Sequence, residues 1–225
     1  MEIVVSDEAG CFAPARVGPD LNLTAASAIE PRAGYVCPVP VWLSDHEYAT
    51  LRAACAVLMP SDQGAPGAEE AGVVDYIDIF LGAFAFDPPR IWAGGPTSGR
   101  KGGEAAFARF FPLSRLDELA WRTRLEGSRG LPEREFNGPV VGLQQRYREG
   151  LAALGEDFTE VDGSEQRHRL RADEDFLDLL WAHCCEGMYG APEYGGNRDG
   201  VGWAFIGHEG DVQPRGYSDA EVSEP

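Results

Sequence analysis

The stretch from Asp173 to Met188 constrains this chain more than any other. Phe176, Leu177, Leu180, Trp181 and Cys184 recur at intervals of three and four, which sets them on one broad helical face. Asp173, Glu174 and Asp175 stand in the first turn, where the helix dipole favours negative charge. A second helix signal begins at Ser44. Ser44 and Glu47 have the spacing of a capping box, Tyr48, Leu51, Cys55 and Leu58 then share a face, and Pro60 stops the run. Another helix is expected from about Glu69 to Phe84, with Val73, Ile77, Phe80, Leu81 and Phe84 as its buried stripe and Asp75 and Asp78 off it. Further helices are expected from Ser114 to about Leu125 and over Gly163–Arg171. Asn137 is expected to cap one more, carrying Val140, Val141, Gln144, Tyr147, Leu151 and Leu154. No stretch alternates apolar and polar residues with the period of two that a half-buried strand requires. The fold class is therefore all-α, an irregular helical bundle with long loops.

Ahead of the bundle, residues 1–41 read as an extended arm. Pro14, Pro19, Pro31, Pro38 and Pro40 punctuate it and no helical stripe persists. Its scattered apolar residues, among them Phe12, Leu21 and Tyr35, suit a segment that fastens to its own domain or to a partner. Residues 42–222 form the helical domain. Within it, 61–67 and 87–104 are turn-rich loops, and Phe107, Phe110 and Phe111 are expected to plug a core.

The segment Pro192-Glu193-Tyr194-Gly195-Gly196-Asn197-Arg198-Asp199-Gly200-Val201-Gly202-Trp203 follows the Asp173–Met188 helix directly. Its glycines permit close backbone approach or positive φ, and Asn197, Arg198 and Asp199 can hydrogen-bond the turns so formed. Tyr194 and Trp203 bracket it and can anchor it. Two readings stay open from these residues: an elaborate turn that ends a helix, or a shaped surface that docks another protein.

Charge narrows the partners. Asp and Glu number 37 against 19 Lys and Arg, a net charge of −18, which disfavours binding nucleic acid through its phosphates. No apolar run reaches the length of a membrane span. The start, Met1 to Glu8, carries neither a basic stretch leading into an apolar one nor a twin arginine, so a cytoplasmic location is expected unless a partner carries the chain out. The five cysteines, Cys11, Cys37, Cys55, Cys184 and Cys185, have no framework spacing and read as free thiols.

No residue set states a reaction. Gly94 to Gly103 lacks the Lys-Ser/Thr pair of a phosphate loop. Asn197 to Gly200 lacks the ligands of a calcium loop, since Ile206 stands where the closing Glu belongs. His183, Cys184 and Cys185 point about 100° apart in a helix and do not converge on one metal ion. His46, His168 and His208 show no triad partner nearby. Asp75 and Asp78 could pair as carboxylates, but a solvated helix face is expected.

Two blocks carry a resemblance. The first is Leu51-Arg52-Ala53-Ala54-Cys55-Ala56-Val57-Leu58-Met59-Pro60, then Gly64 to Ala68, then Ala71-Gly72-Val73-Val74-Asp75-Tyr76-Ile77-Asp78. The second is Glu186-Gly187-Met188-Tyr189, the Pro192–Trp203 run, Ile206-Gly207 and Gly216-Tyr217. Together they resemble the gluconate 2-dehydrogenase subunit 3 family, the small subunits of flavin-dependent sugar dehydrogenases. The resemblance implies a non-catalytic subunit that stabilises, matures or helps export a large flavoprotein of the glucose–methanol–choline type. FAD is expected in that partner and no cofactor in this chain, with electrons passing on to a cytochrome or other acceptor. Tyr194, Asn197, Arg198, Asp199, Trp203 and His208 are the expected partner-binding residues. Related chains often carry a twin-arginine signal, and this N-terminus departs from them. The competing readings are a free-standing enzyme built around His183 or Asp75, and a soluble electron-transfer protein with a cluster on its cysteines.

Overall fold

Helix caps written into the sequence start most of the elements. The computed structural model describes residues 40–91 and 111–208. Within them lie seven helices and no strand: α1 (Asp45–Leu58), α2 (Val73–Leu81), α3 (Arg115–Glu126), α4 (Leu143–Ala153), α5 (Gly163–Arg171), α6 (Glu174–Tyr189) and α7 (Val201–Ile206). The all-α class stands. Ser44 accepts from the Glu47 amide while Glu47 reaches back, and Ser114 and Asp117 repeat the arrangement on α3. Asp162 and Asp173 cap α5 and α6 through their carboxylates. Each such cap contributes about 1 kcal/mol.

The α6 helix is the central element. It packs most extensively on α2 and also touches α1, α4, α5 and α7. Its buried line is Phe176, Leu180, His183, Cys184, Gly187 and Met188. The expected face is thus rotated: Trp181 is 48% exposed and His183 lies inside instead. The reason is aromatic packing from both neighbours. The Tyr147 ring of α4 stacks on His183, and the Phe80 ring of α2 meets it edge-on. Gly187 lets α2 come close, since a Cβ there would stand 3.2 Å from the Val73 Cα.

Several expectations are corrected. The second helix starts at Val73, not Glu69, because Gly72 adopts a left-handed conformation (φ 67°) at its N-cap. It ends at Leu81, before a 3-10 turn over Ala83–Ala85. The fourth starts at Leu143 behind Gly142, so Asn137 is not its cap, and Val140 and Val141 are exposed. They lie in extended chain that runs along the end of α3, where the Ser128 amide donates to the Val140 carbonyl at 3.0 Å. Phe111 is exposed and plugs nothing among the described residues.

Asp78 gives the largest surprise. It is buried, not solvated. Its carboxylate accepts from the backbone amides of Val41 (2.5 Å), Trp42 (3.0 Å) and Leu43 (2.8 Å), which fixes the chain entering α1. Burying a carboxylate costs several kcal/mol. Three charge-assisted bonds of about 1.5–3 kcal/mol each are enough to offset that. The arm up to residue 39, Cys11, Cys37, the 92–104 part of the second loop, Phe107, Phe110 and Gly216-Tyr217 lie outside the described residues.

Candidate functional site

One side chain joins the end of α6 to the start of α7. The chain leaves α6 at Gly190 and doubles back through 3-10 turns at Pro192–Tyr194 and Arg198–Gly200. Asn197 sits inside this bend with no exposed surface and a positive φ of 43°, a conformation asparagine tolerates better than most residues. Its side-chain amide donates to the Gly190 carbonyl at 2.9 Å. Its Oδ1 accepts from the Gly202 amide at 2.9 Å and the Trp203 amide at 3.4 Å. Its own backbone N–H donates to the Gly187 carbonyl at 2.6 Å. Asn197 therefore satisfies groups that both helix ends would otherwise leave orphaned.

The backbone of this bend passes too close to the end of α6 for side chains at two of its glycines. A Cβ on Gly196 would stand 2.2 Å from the Gly187 oxygen, and one on Gly202 would stand 1.9 Å from the Met188 oxygen. Both obstacles are backbone and cannot swing away. The glycine signal in the sequence is thus a close-packing signal at Gly196 and Gly202 and a turn signal at Gly195 and Gly200, whose φ values are 98° and 72°.

Arg198 carries the bend onto the rest of the bundle. Its guanidinium pairs with Asp75 of α2, and Asp75 also accepts from the Tyr48 hydroxyl of α1. The Arg198 amide donates to the Ala71 carbonyl at 3.0 Å. A Cβ on Gly72 would lie 2.8 Å from the arginine, so the same glycine that starts α2 makes room for this pair. Arg198 thus pairs with Asp75 across the fold and not with its neighbour Asp199, which is exposed. Trp203 is half-buried and its indole N–H donates to the Tyr189 carbonyl at 2.7 Å. The exposed His208 sets its ring edge-on to Trp203 at 5.1 Å. Five of the six expected residues keep surface; Asn197 alone has none to offer.

Tyr194 faces elsewhere, into a groove of about 410 Å³ between α2, α3, the end of α6 and the Pro192–Tyr194 turn. Tyr76, Ile79 and Phe80 form one wall, Trp121 and Arg124 the other, and Glu186 with Tyr194 close the end. The aromatic walls brace one another. Tyr76 stacks on Phe80 at 6.0 Å, and Phe80 meets Trp121 edge-on at 6.2 Å. The Tyr76 hydroxyl donates to Glu186 at 2.6 Å. Burial, then the Glu186 carboxylate, push the Tyr76 phenol far up, so it remains a donor throughout the neutral range. Burial likewise pushes Tyr194 up to about 12. Sequence reasoning missed this groove. Tyr76 and Phe80 at i, i+4 and Trp121 and Arg124 at i, i+3 were visible as helix neighbours, but nothing local says that the two pairs face each other.

The residues of the competing enzyme reading have other partners. His183 is buried, and its Nδ1 is 2.7 Å from the Tyr147 hydroxyl. Burial lowers its basicity, partly opposed by Glu186. Asp75 is held by Tyr48 and Arg198. Cys55 and Cys184 are free, buried and 3.6 Å apart across the α1–α6 contact, and each thiol is packed as a small apolar group. Their mutual hydrogen bond and burial push the Cys55 thiol well up. Among the described residues no three His, Cys, Asp or Glu side chains converge as a metal cage does, and no helix is long and apolar enough to cross a membrane.

Fold and site together define an all-α domain with a preformed aromatic groove beside an internally locked bend. Residues 45–210 match the family model described as Gluconate 2-dehydrogenase subunit 3, and the chain belongs to that family. Membership makes it an accessory subunit of a dehydrogenase complex. No curated protein sequence and no solved structure matches it.

Proposed function

We propose that this chain is the non-catalytic small subunit that stabilises, matures or helps export a flavin-dependent sugar, sugar-acid or glycoside dehydrogenase. The partner is a large flavoprotein of the glucose–methanol–choline type, it holds the FAD, and it passes electrons to a cytochrome or another acceptor. The observation that carries this reading is the family match over residues 45–210. The structure supports it in a particular way. Among the described residues, the segment from Glu186 to Trp203 holds a rigid bend and one end of an open groove in place. A preformed surface binds with little ordering cost, which suits a subunit whose contribution is shape.

The test is a pull-down of the tagged chain from its native host, with flavin absorbance and sugar-dependent dye reduction read on the eluate. A co-eluting large polypeptide, yellow and active, is the expected result. A chain that elutes alone and itself turns over a sugar would sink the reading. A second test starts with the large subunit produced by itself: it should accumulate as less soluble or flavin-poor protein, and co-production of this chain should restore both.

A further inference from the structure

We propose that the groove between α2 and α3 is a socket for one apolar side chain of the large subunit, aromatic or branched, carried beside a carboxylate that pairs with Arg124. This rests on the reading above, that the chain docks such a partner. Three observations lead to it. First, the groove is walled by Tyr76, Phe80, Trp121 and Tyr194 and holds about 410 Å³, room for a large side chain and its immediate neighbours. Concave aromatic pockets of this kind receive the anchor residues that dominate interface energies.

Second, the walls are already in place. Phe80 is fixed by Tyr76, Trp121 and His183, and Tyr194 belongs to the turn that Asn197 locks. A side chain entering the groove has no wall to order first.

Third, the charge at the lip selects an acidic partner. Arg124 is exposed at the end of α3 and lies over the Trp121 ring at 5.1 Å. Among the described residues it makes no ion pair, whereas Arg122, two positions earlier, is bound by Glu118 and Glu126. The one carboxylate within the groove, Glu186, is held by the Tyr76 hydroxyl. On a chain of net charge −18, most of the surface repels acidic segments, so an arginine at an apolar opening tells an approaching carboxylate where to dock.

The experiment uses the two purified subunits, the large one with its flavin. Arg124→Glu changes an exposed position and leaves the helix intact, which circular dichroism verifies. It is expected to weaken the complex about tenfold or more, with Arg124→Lys recovering part of the loss. Hydroxyl-radical footprinting is expected to show Trp121 and Tyr194 reactive in the free chain and protected in the complex. If the complex forms, Arg124→Glu binds within about twofold of the parent, and Trp121 and Tyr194 react equally in both states, the socket is wrong while the subunit reading stands. If both residues are already protected in the free chain, the groove is filled from within and the socket is equally wrong. If the subunits form no complex at all, both proposals fall.

Discussion

Among the described residues, two connections with glycines at their turns behave in opposite ways. The bend from Gly190 to Gly202 is packed against α6 from within. The stretch from Gly130 to Gly138 lies on the outside, where Phe136 is 93% exposed and a Cβ on Gly130 or Gly138 would meet nothing within 4 Å. At Gly196 and Gly202 of the first, glycine is needed because another backbone occupies the space a side chain would take. In the second it serves chain direction alone. Glycine content therefore says little about rigidity; what a missing Cβ would strike says a great deal.

That comparison can be broken by mutation, and the largest effect is expected at Gly202. Gly202→Ala drives a methyl into the Met188 carbonyl, and urea unfolding should show a loss of about 3 kcal/mol or more. Asn197→Ala comes next. It orphans the Gly190 carbonyl and the Gly202 amide and leaves alanine at positive φ, so a loss of about 2–3 kcal/mol is expected by the same measurement. A loss under 0.5 kcal/mol at either position would make the two connections alike after all.

His183 sharpens the contrast through pH. Burial lowers its folded pKa, so the unfolded chain binds the proton more readily, at about pH 6.5. Where the unfolded state holds more protons, stability rises with pH. The stabilisation from neutral His183 is therefore complete above about pH 6.5 and is lost as pH falls below it. Thermal melts from pH 8 to pH 5 should fall more steeply for the parent than for His183→Gln. Parallel curves would show that His183 does not titrate on unfolding. The smallest effect is expected in the outer connection: Phe136→Ser should change stability by no more than about 0.5 kcal/mol, checked by the same urea titration.

Much of the fold was legible because its signals are local. Ser44, Ser114, Asp162 and Asp173 announce helix starts within a few residues, and the α5 limits follow from such signals directly. The candidate site was legible only in part. Tyr194, Asn197, Arg198 and Trp203 stood out by residue type, yet the partner of Arg198 lies on α2, at Asp75, more than a hundred residues earlier. Asp78 was misread for the same reason. Its neighbours in sequence suggest a solvated face, and its real partners are three amides at the root of α1.

The sequence alone determined the helical class, most helix starts, the family and the existence of a shaped bend after α6, since periodicity, caps and motif are properties of short stretches. Only the tertiary structure decided which way α6 faces, that Asn197 is internal, and that Tyr76, Trp121, Arg124 and Tyr194 converge on one groove. Those outcomes depend on which surfaces lose water against each other, and burial of that kind is a property of distant segments brought together.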